Sequence, residues 1–201
     1  MARFTPSACR TVVAAALSLV ALCAQAYSFE CVTGAAGAGA DALGCTTIGE
    51  SWASWSLAGN QLTITNTAAS GNSSFISGIS FDTASNQAVT LGAPQTGVLF
   101  STGGGAKLPA SLGWTVNYDF KPDTKPSTNG VNAGESIVFN LTGISLAQIR
   151  SGEVAFGLHI QGLPDGRSEK LVAAVPEAET YAMALAGLSV VGALVLRRRR
   201  H

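Results

Sequence analysis

Val154-Ala-Phe-Gly-Leu-His-Ile-Gln161 alternates large apolar side chains with small or polar ones. Successive side chains on an extended chain point to opposite faces. Val154, Phe156, Leu158 and Ile160 therefore share one face, and Ala155, Gly157, His159 and Gln161 the other. That is the pattern of a strand with one buried side.

The same period recurs outward from this stretch. Ser136-Ile-Val-Phe-Asn-Leu-Thr142 aligns Ile137, Phe139 and Leu141. Trp114-Thr-Val-Asn-Tyr-Asp-Phe120 aligns Trp114, Val116, Tyr118 and Phe120. Phe75-Ile-Ser-Gly-Ile-Ser-Phe81 places Phe75, Ile79 and Phe81 together, and Leu62 and Ile64 alternate with threonines. Short apolar runs at Val89 to Leu91 and Val98 to Phe100 fit buried strands. Gly, Asn, Asp and Ser separate these runs, as turns require. Helical signal is confined to short stretches. In one, Ser145 and Gln148 have capping-box spacing ahead of Gly152, which predicts about two helical turns. Apolar strand faces with almost no helix to cover them must cover each other. The expected fold class is therefore all-β, an antiparallel β-sandwich, with a β-barrel as runner-up.

The two ends of the chain are built differently. Met1 to Ala26 has Arg3 and Arg10, then an apolar run from Thr11 to Cys23, then Ala24-Gln25-Ala26. This is the order of a secretory signal peptide, with Ala24 and Ala26 fitting the small-x-small cleavage rule. At the other end, Tyr181 to Leu196 carries no charge, and Arg197, Arg198, Arg199 and Arg200 follow directly. About 16 residues give roughly 24 Å of helix at 1.5 Å per residue, a short span for a hydrocarbon core of about 30 Å. Arginine stems recover part of the deficit by snorkelling, and the cluster keeps to the cytoplasmic side. The expected organisation is a signal helix at 1–26, an exported β domain at 27–174, and a tail at 175–201 whose transmembrane helix is 181–196.

This tail resembles the PEP-CTERM sorting signal of Gram-negative bacteria. The matching residues are Val175, Pro176 and Glu177, then Leu185-Ala186-Gly187-Leu188, then Arg197 to Arg200. Ala178 stands where the family's name has a second proline. The resemblance implies an exosortase as partner, which recognises the motif at 175–180 and cuts near it. It also implies transient residence in the cytoplasmic membrane, then delivery to the cell surface or an exopolysaccharide matrix. Val175, Pro176 and Glu177 are then parts of a substrate. A permanently anchored protein and a secreted enzyme with an unfamiliar site are the alternatives.

Charge and cysteine usage agree with export. Between 27 and 175 there are six basic and ten acidic side chains, a balance of 6 − 10 = −4. A mildly acidic domain offers nucleic acid no electrostatic footprint. Removal of a signal peptide leaves Cys31 and Cys45, an even number for an oxidising compartment. A disulfide between them would close a loop of about 15 residues, worth roughly 3 kcal/mol in the chain-entropy model.

Chemistry is thinly represented, and the chain reads as a non-enzyme without cofactor or metal. His159 is the domain's single histidine, and strand parity puts it on the polar face. No Gly-x-Ser-x-Gly elbow occurs, and Gly103-Gly-Gly-Ala-Lys107 lacks the Gly-Lys-Ser/Thr ending of a phosphate loop. Trp52 and Trp55, at odd spacing in one predicted strand, point to opposite faces, so one of them is a candidate for stacking on a sugar ring of the exopolysaccharide.

Overall fold

The computed structural model describes residues 26–32 and 47–174. Eleven strands, all paired antiparallel, form one continuous sheet. In chain order they are β1 (Tyr27–Cys31), β2 (Ala53–Ala58), β3 (Gln61–Asn66), β4 (Phe75–Asp82), β5 (Ala88–Leu91), β6 (Phe100–Thr102), β7 (Val116–Pro122), β8 (Val131–Asn132), β9 (Ser136–Thr142), β10 (Ala155–Leu163) and β11 (Arg167–Ala173). Among the described residues three short α-helices intervene, α1 (Thr47–Ser51), α2 (Pro126–Asn129) and α3 (Leu146–Arg150), with 3-10 turns at Ala110–Leu112 and Pro164–Gly166. The order across the sheet is β5-β9-β3-β2-β1-β11-β10-β4-β7-β6, with β8 added on β4.

The sheet is nearly closed on itself, which corrects the sandwich expectation toward the runner-up. β1 joins the two halves of the sheet: Tyr27 and Ser28 pair with β2, and Phe29, Glu30 and Cys31 pair with β11. The first strand thus joins the last. That pairing closes most of the chain length and leaves no local trace in the sequence.

Aromatic rings cross the interior and tie the walls together. Tyr27 stacks on Trp55 at 4.3 Å between centroids, and Trp55 meets the edge of Phe156 at 5.1 Å. Phe156 stacks on Phe81 at 5.5 Å, Phe81 meets Phe139 at 5.1 Å, and Phe139 meets Phe120 at 4.9 Å. This chain of contacts runs from β1 and β2 through β10 and β4 to β9 and β7. Burying such rings, with about 0.5–1.5 kcal/mol per pair beyond the area term, is the main force holding the curled sheet shut.

A second tie lies where β3, β4 and β8 converge. Asn66 is fully buried. Its Nδ2 donates to the Ser74 and Val131 carbonyls, each at 3.1 Å, and its Oδ1 accepts the Ala68 N–H at 3.1 Å. Its backbone N–H donates to Glu135 O and its carbonyl accepts from Gly134 N. One residue thereby fastens the end of β3 to the entry of β4, to β8 and to the β8–β9 turn.

The expected periodicity holds for β3, β9 and β10, whose alternate residues Leu62, Ile64, Ile137, Phe139, Phe156, Leu158 and Ile160 are all in the core. It shifts in β4. Ile76 is buried with Ile79 and Phe81, while Phe75 is only half-buried. A register shift between His159 and Ile160, opposite Gly78 and Ile76, changes the phase of the strand there. Gly78 also passes under the loop at Gly105, where a Cβ would lie 2.6 Å from backbone atoms. Two further boundaries differ from expectation. β6 starts at Phe100 because Val98 turns back in a bridge with Gln95. β7 starts at Val116, leaving Trp114 half-buried ahead of it.

The short helix forms where the capping box predicts. Ser145 Oγ accepts the Gln148 N–H at 3.3 Å, and Gln148 Oε1 accepts the Ser145 N–H at 2.9 Å. Among the described residues no helix is long and apolar enough to cross a membrane. The expected signal helix and the 181–196 helix lie outside the described residues.

Candidate functional site

Among the described residues, the start of β1 and the end of β11 meet at one corner of the barrel. Tyr27 and Phe29 point inward and are buried, while Ser28 and Glu30 point outward. Tyr27 opens the strand on the core face, stacked on Trp55, and its hydroxyl accepts from Arg150 Nη2 at 2.9 Å. The Arg150 guanidinium also sits 5.8 Å from the centre of the Tyr27 ring. Arg150 is the last residue of α3, so the capped helix positions the cation that covers the first residue of the domain.

The Ser28 carbonyl joins both chain ends. It accepts Trp55 Nε1–H at 3.0 Å and the Ala174 N–H at 3.0 Å. A carbonyl oxygen has two lone pairs, so both bonds form at once. Beside it, Phe29 pairs with Ala173, Glu30 with Val172, and Cys31 with Leu171. On the other edge of β11, pairing with β10 runs only as far as Val172, opposite Gly157. Ala173 and Ala174 therefore have a strand partner on the β1 side alone, although Ala173 also packs against the core. Ala174 is nevertheless buried, at 8% exposure.

Val175, Pro176, Glu177 and Arg197 to Arg200 lie outside the described residues, as do Ala24 and Cys45. Ala26 is the first described residue and is exposed. Cys31 ends β1 half-buried, and its N–H donates to Glu50 Oε1 on α1 at 2.8 Å. The strand that leads out to residue 33 and the helix that resumes at residue 47 are thus in direct contact.

Of the two tryptophans, one faces the core, as opposite parity requires, and the other lies outside the strand. Trp55 is 1% exposed and fills the core, so its ring is closed to a sugar. Trp52 precedes β2 and packs half-buried against the core. The odd spacing did not expose either ring fully, because Trp52 belongs to the turn after α1 and not to the strand. His159 lies on the face expected of it, but half-buried, with Nδ1 3.3 Å from Ser77 Oγ and 3.4 Å from Gln161 Nε2.

Two hollows mark the surface of the described residues. An apolar groove of about 100 Å³, bounded by both edge strands, is lined by Leu91, Val98, Leu99, Phe100 and Ile137. A wider hollow of about 300 Å³ runs past Asn117, Tyr118 and Asp119. Asp119 is engaged there, accepting Ser80 Oγ–H at 2.6 Å. Neither lining contains a histidine, cysteine or lysine. Among the described residues no group of three His, Cys, Asp or Glu side chains is placed to hold a metal ion.

Comparison with known proteins bears on the tail. The family model described as PEP-CTERM protein-sorting motif matches residues 174–200. No curated protein and no solved structure matches the chain. The chain is of the class addressed by its C-terminus: it carries a PEP-CTERM sorting signal, the mark of an exosortase substrate. The motif implies export, a membrane-associated sorting step, and an exosortase as processing partner. The match begins at Ala174, the residue hydrogen-bonded to Ser28.

Proposed function

We propose that this chain is a cell-surface or exopolysaccharide-matrix protein whose β domain is a structural or adhesive component, without catalysis. The observation that carries the reading is the sorting motif at 174–200, joined directly to a barrel stabilised by an aromatic interior. Export begins with removal of 1–26, and the mature chain starts at Tyr27, where β1 starts. The exosortase then separates the barrel from the tail near Pro176. The proximity of Cys31 to α1 supports a Cys31–Cys45 disulfide, which would staple residues 33–46 to the barrel wall.

Mass spectrometry of the protein recovered from cell-surface and matrix fractions tests the reading. The expected species begins at Tyr27, ends near Pro176, and is lighter by two hydrogens for the disulfide. A protein that keeps Arg197 to Arg200 and stays with the membrane would overturn it in favour of a permanent anchor.

A further inference from the structure

The sorting motif and the folded domain overlap, and this juxtaposition points to a coupling between them. The matched segment starts at Ala174, which is buried and bonded to Ser28 O. No spacer separates the last ladder residue, Ala173, from the motif residue Val175. On the membrane side only residues 175–180 precede the apolar run, which at about 3.3 Å per residue is roughly 20 Å fully extended. A membrane-embedded enzyme must therefore meet its substrate motif close against the β1–β11 corner.

Enzymes that cut a peptide bind it in extended form on both sides of the bond, and folded backbone is cut only after local opening. Here the residues upstream of the motif are occupied by β1. We propose that Ala173 and Ala174 form a detachable latch on β1, and that the exosortase acts on the chain with this latch released. The proposal rests on the sorting reading above.

The corner is built so that release stays local. Val172 and the residues before it remain paired with β10, so opening stops after Ala173. The Ser28 carbonyl keeps its bond from Trp55 Nε1–H when the Ala174 N–H leaves. Tyr27 remains stacked on Trp55 and bonded to Arg150. β1 is thus held from its β2 side, and the latch opens without leaving a buried carbonyl unsatisfied. In the closed position Ala174, where the matched segment begins, is buried, and the barrel itself sets how often the enzyme finds an open substrate.

The test is the rate of tail loss, followed by pulse-chase in exosortase-containing cells. Three full-length chains are compared: the wild type, one with six Gly and Ser residues inserted between Ala174 and Val175, and A174P. The insertion leaves every described contact in place and gives the enzyme extended chain outside the fold. A174P removes the N–H that bonds Ser28 O. Both are expected to lose the tail at least about fivefold faster than the wild type, as for cleavage limited by an opening equilibrium. An insertion variant processed at the wild-type rate overturns the latch, whatever A174P does. A wild-type chain that is never processed overturns the sorting reading itself, so the two failures are distinct.

Discussion

Asn66 is the sharpest test of how the barrel is closed. At a site with no solvent exposure, N66A leaves three backbone groups without their side-chain partner, the Ser74 carbonyl, the Val131 carbonyl and the Ala68 N–H, and also removes the longer bonds with Ser74 Oγ. Leaving a buried polar group without a partner costs about 1–3 kcal/mol. Three groups at the low end of that range give about 3 kcal/mol. Against a typical total of about 5–15 kcal/mol this is a large fraction. For a domain of this size it lowers Tm by roughly 6–12 °C. The measurement is a urea titration of the purified chain, in which the midpoint falls while the slope is unchanged. N66D sharpens the diagnosis. Its carboxyl would face the two carbonyl oxygens that now accept from Nδ2, so the fold favours the protonated form and raises that carboxyl's pKa above its unfolded value. The deficit is then smallest below about pH 4 and grows as pH rises, because the folded state binds the extra proton. A loss under about 1 kcal/mol for N66A, or a pH-independent deficit for N66D, would refute the role assigned to this residue.

Three further outcomes follow from named contacts. W55F removes the indole donor to Ser28 O and shortens the stack on Tyr27; it should cost about 2–3 kcal/mol in denaturant and weaken the near-ultraviolet circular dichroism. G78A places a methyl 2.6 Å from the backbone of Gly105, so it should destabilise by about 1–3 kcal/mol and increase hydrogen exchange in the 103–108 loop. S145A breaks the capping box of α3 and should cost about 1 kcal/mol, visible as a small drop in thermal midpoint with the spectrum of the β domain unchanged.

What was legible in the sequence is what depends on near neighbours. β9 and β10 declare themselves because each has one face in the core and one outside, and Ser145 with Gln148 declares α3 because capping is a local hydrogen-bond exchange. β11 was missed for the opposite reason. Arg167-Ser-Glu-Lys-Leu-Val-Ala173 reads as polar chain, with Leu171 its one large residue fully in the core. It is a strand because β1 and β10 both offer it a ladder, and its Glu169 is buried where α1 approaches, with a Cβ at Gly49 falling 2.9 Å from the Glu169 Cδ. β10 precedes it directly, but β1 lies at the other end of the domain's sequence. The phase slip in β4 was invisible too, since a bulge is specified by the opposing strand as much as by Ser77 and Gly78 themselves.

The tail was readable for yet another reason: an address must be recognised in an unfolded or extended chain, so its information is linear. The fold then adds what linear information omits, which is where the address is attached. Because β1 and β11 are neighbours, Ala26 and Ala174 leave the barrel at the same corner. A chain still carrying both terminal apolar segments would be drawn to a membrane at that one corner, with the edge strands β5 and β6 at the far ends of the sheet order. Among the described residues the interior aromatic chain contains none beyond Phe156, and the Ser28 carbonyl is also bonded by the Trp55 indole. A removable signal grafted onto the last strand demands such insulation. Here β1 is held by contacts of its own, the Tyr27 stack on Trp55, the Arg150 bond to the Tyr27 hydroxyl and the Trp55 bond to the Ser28 carbonyl.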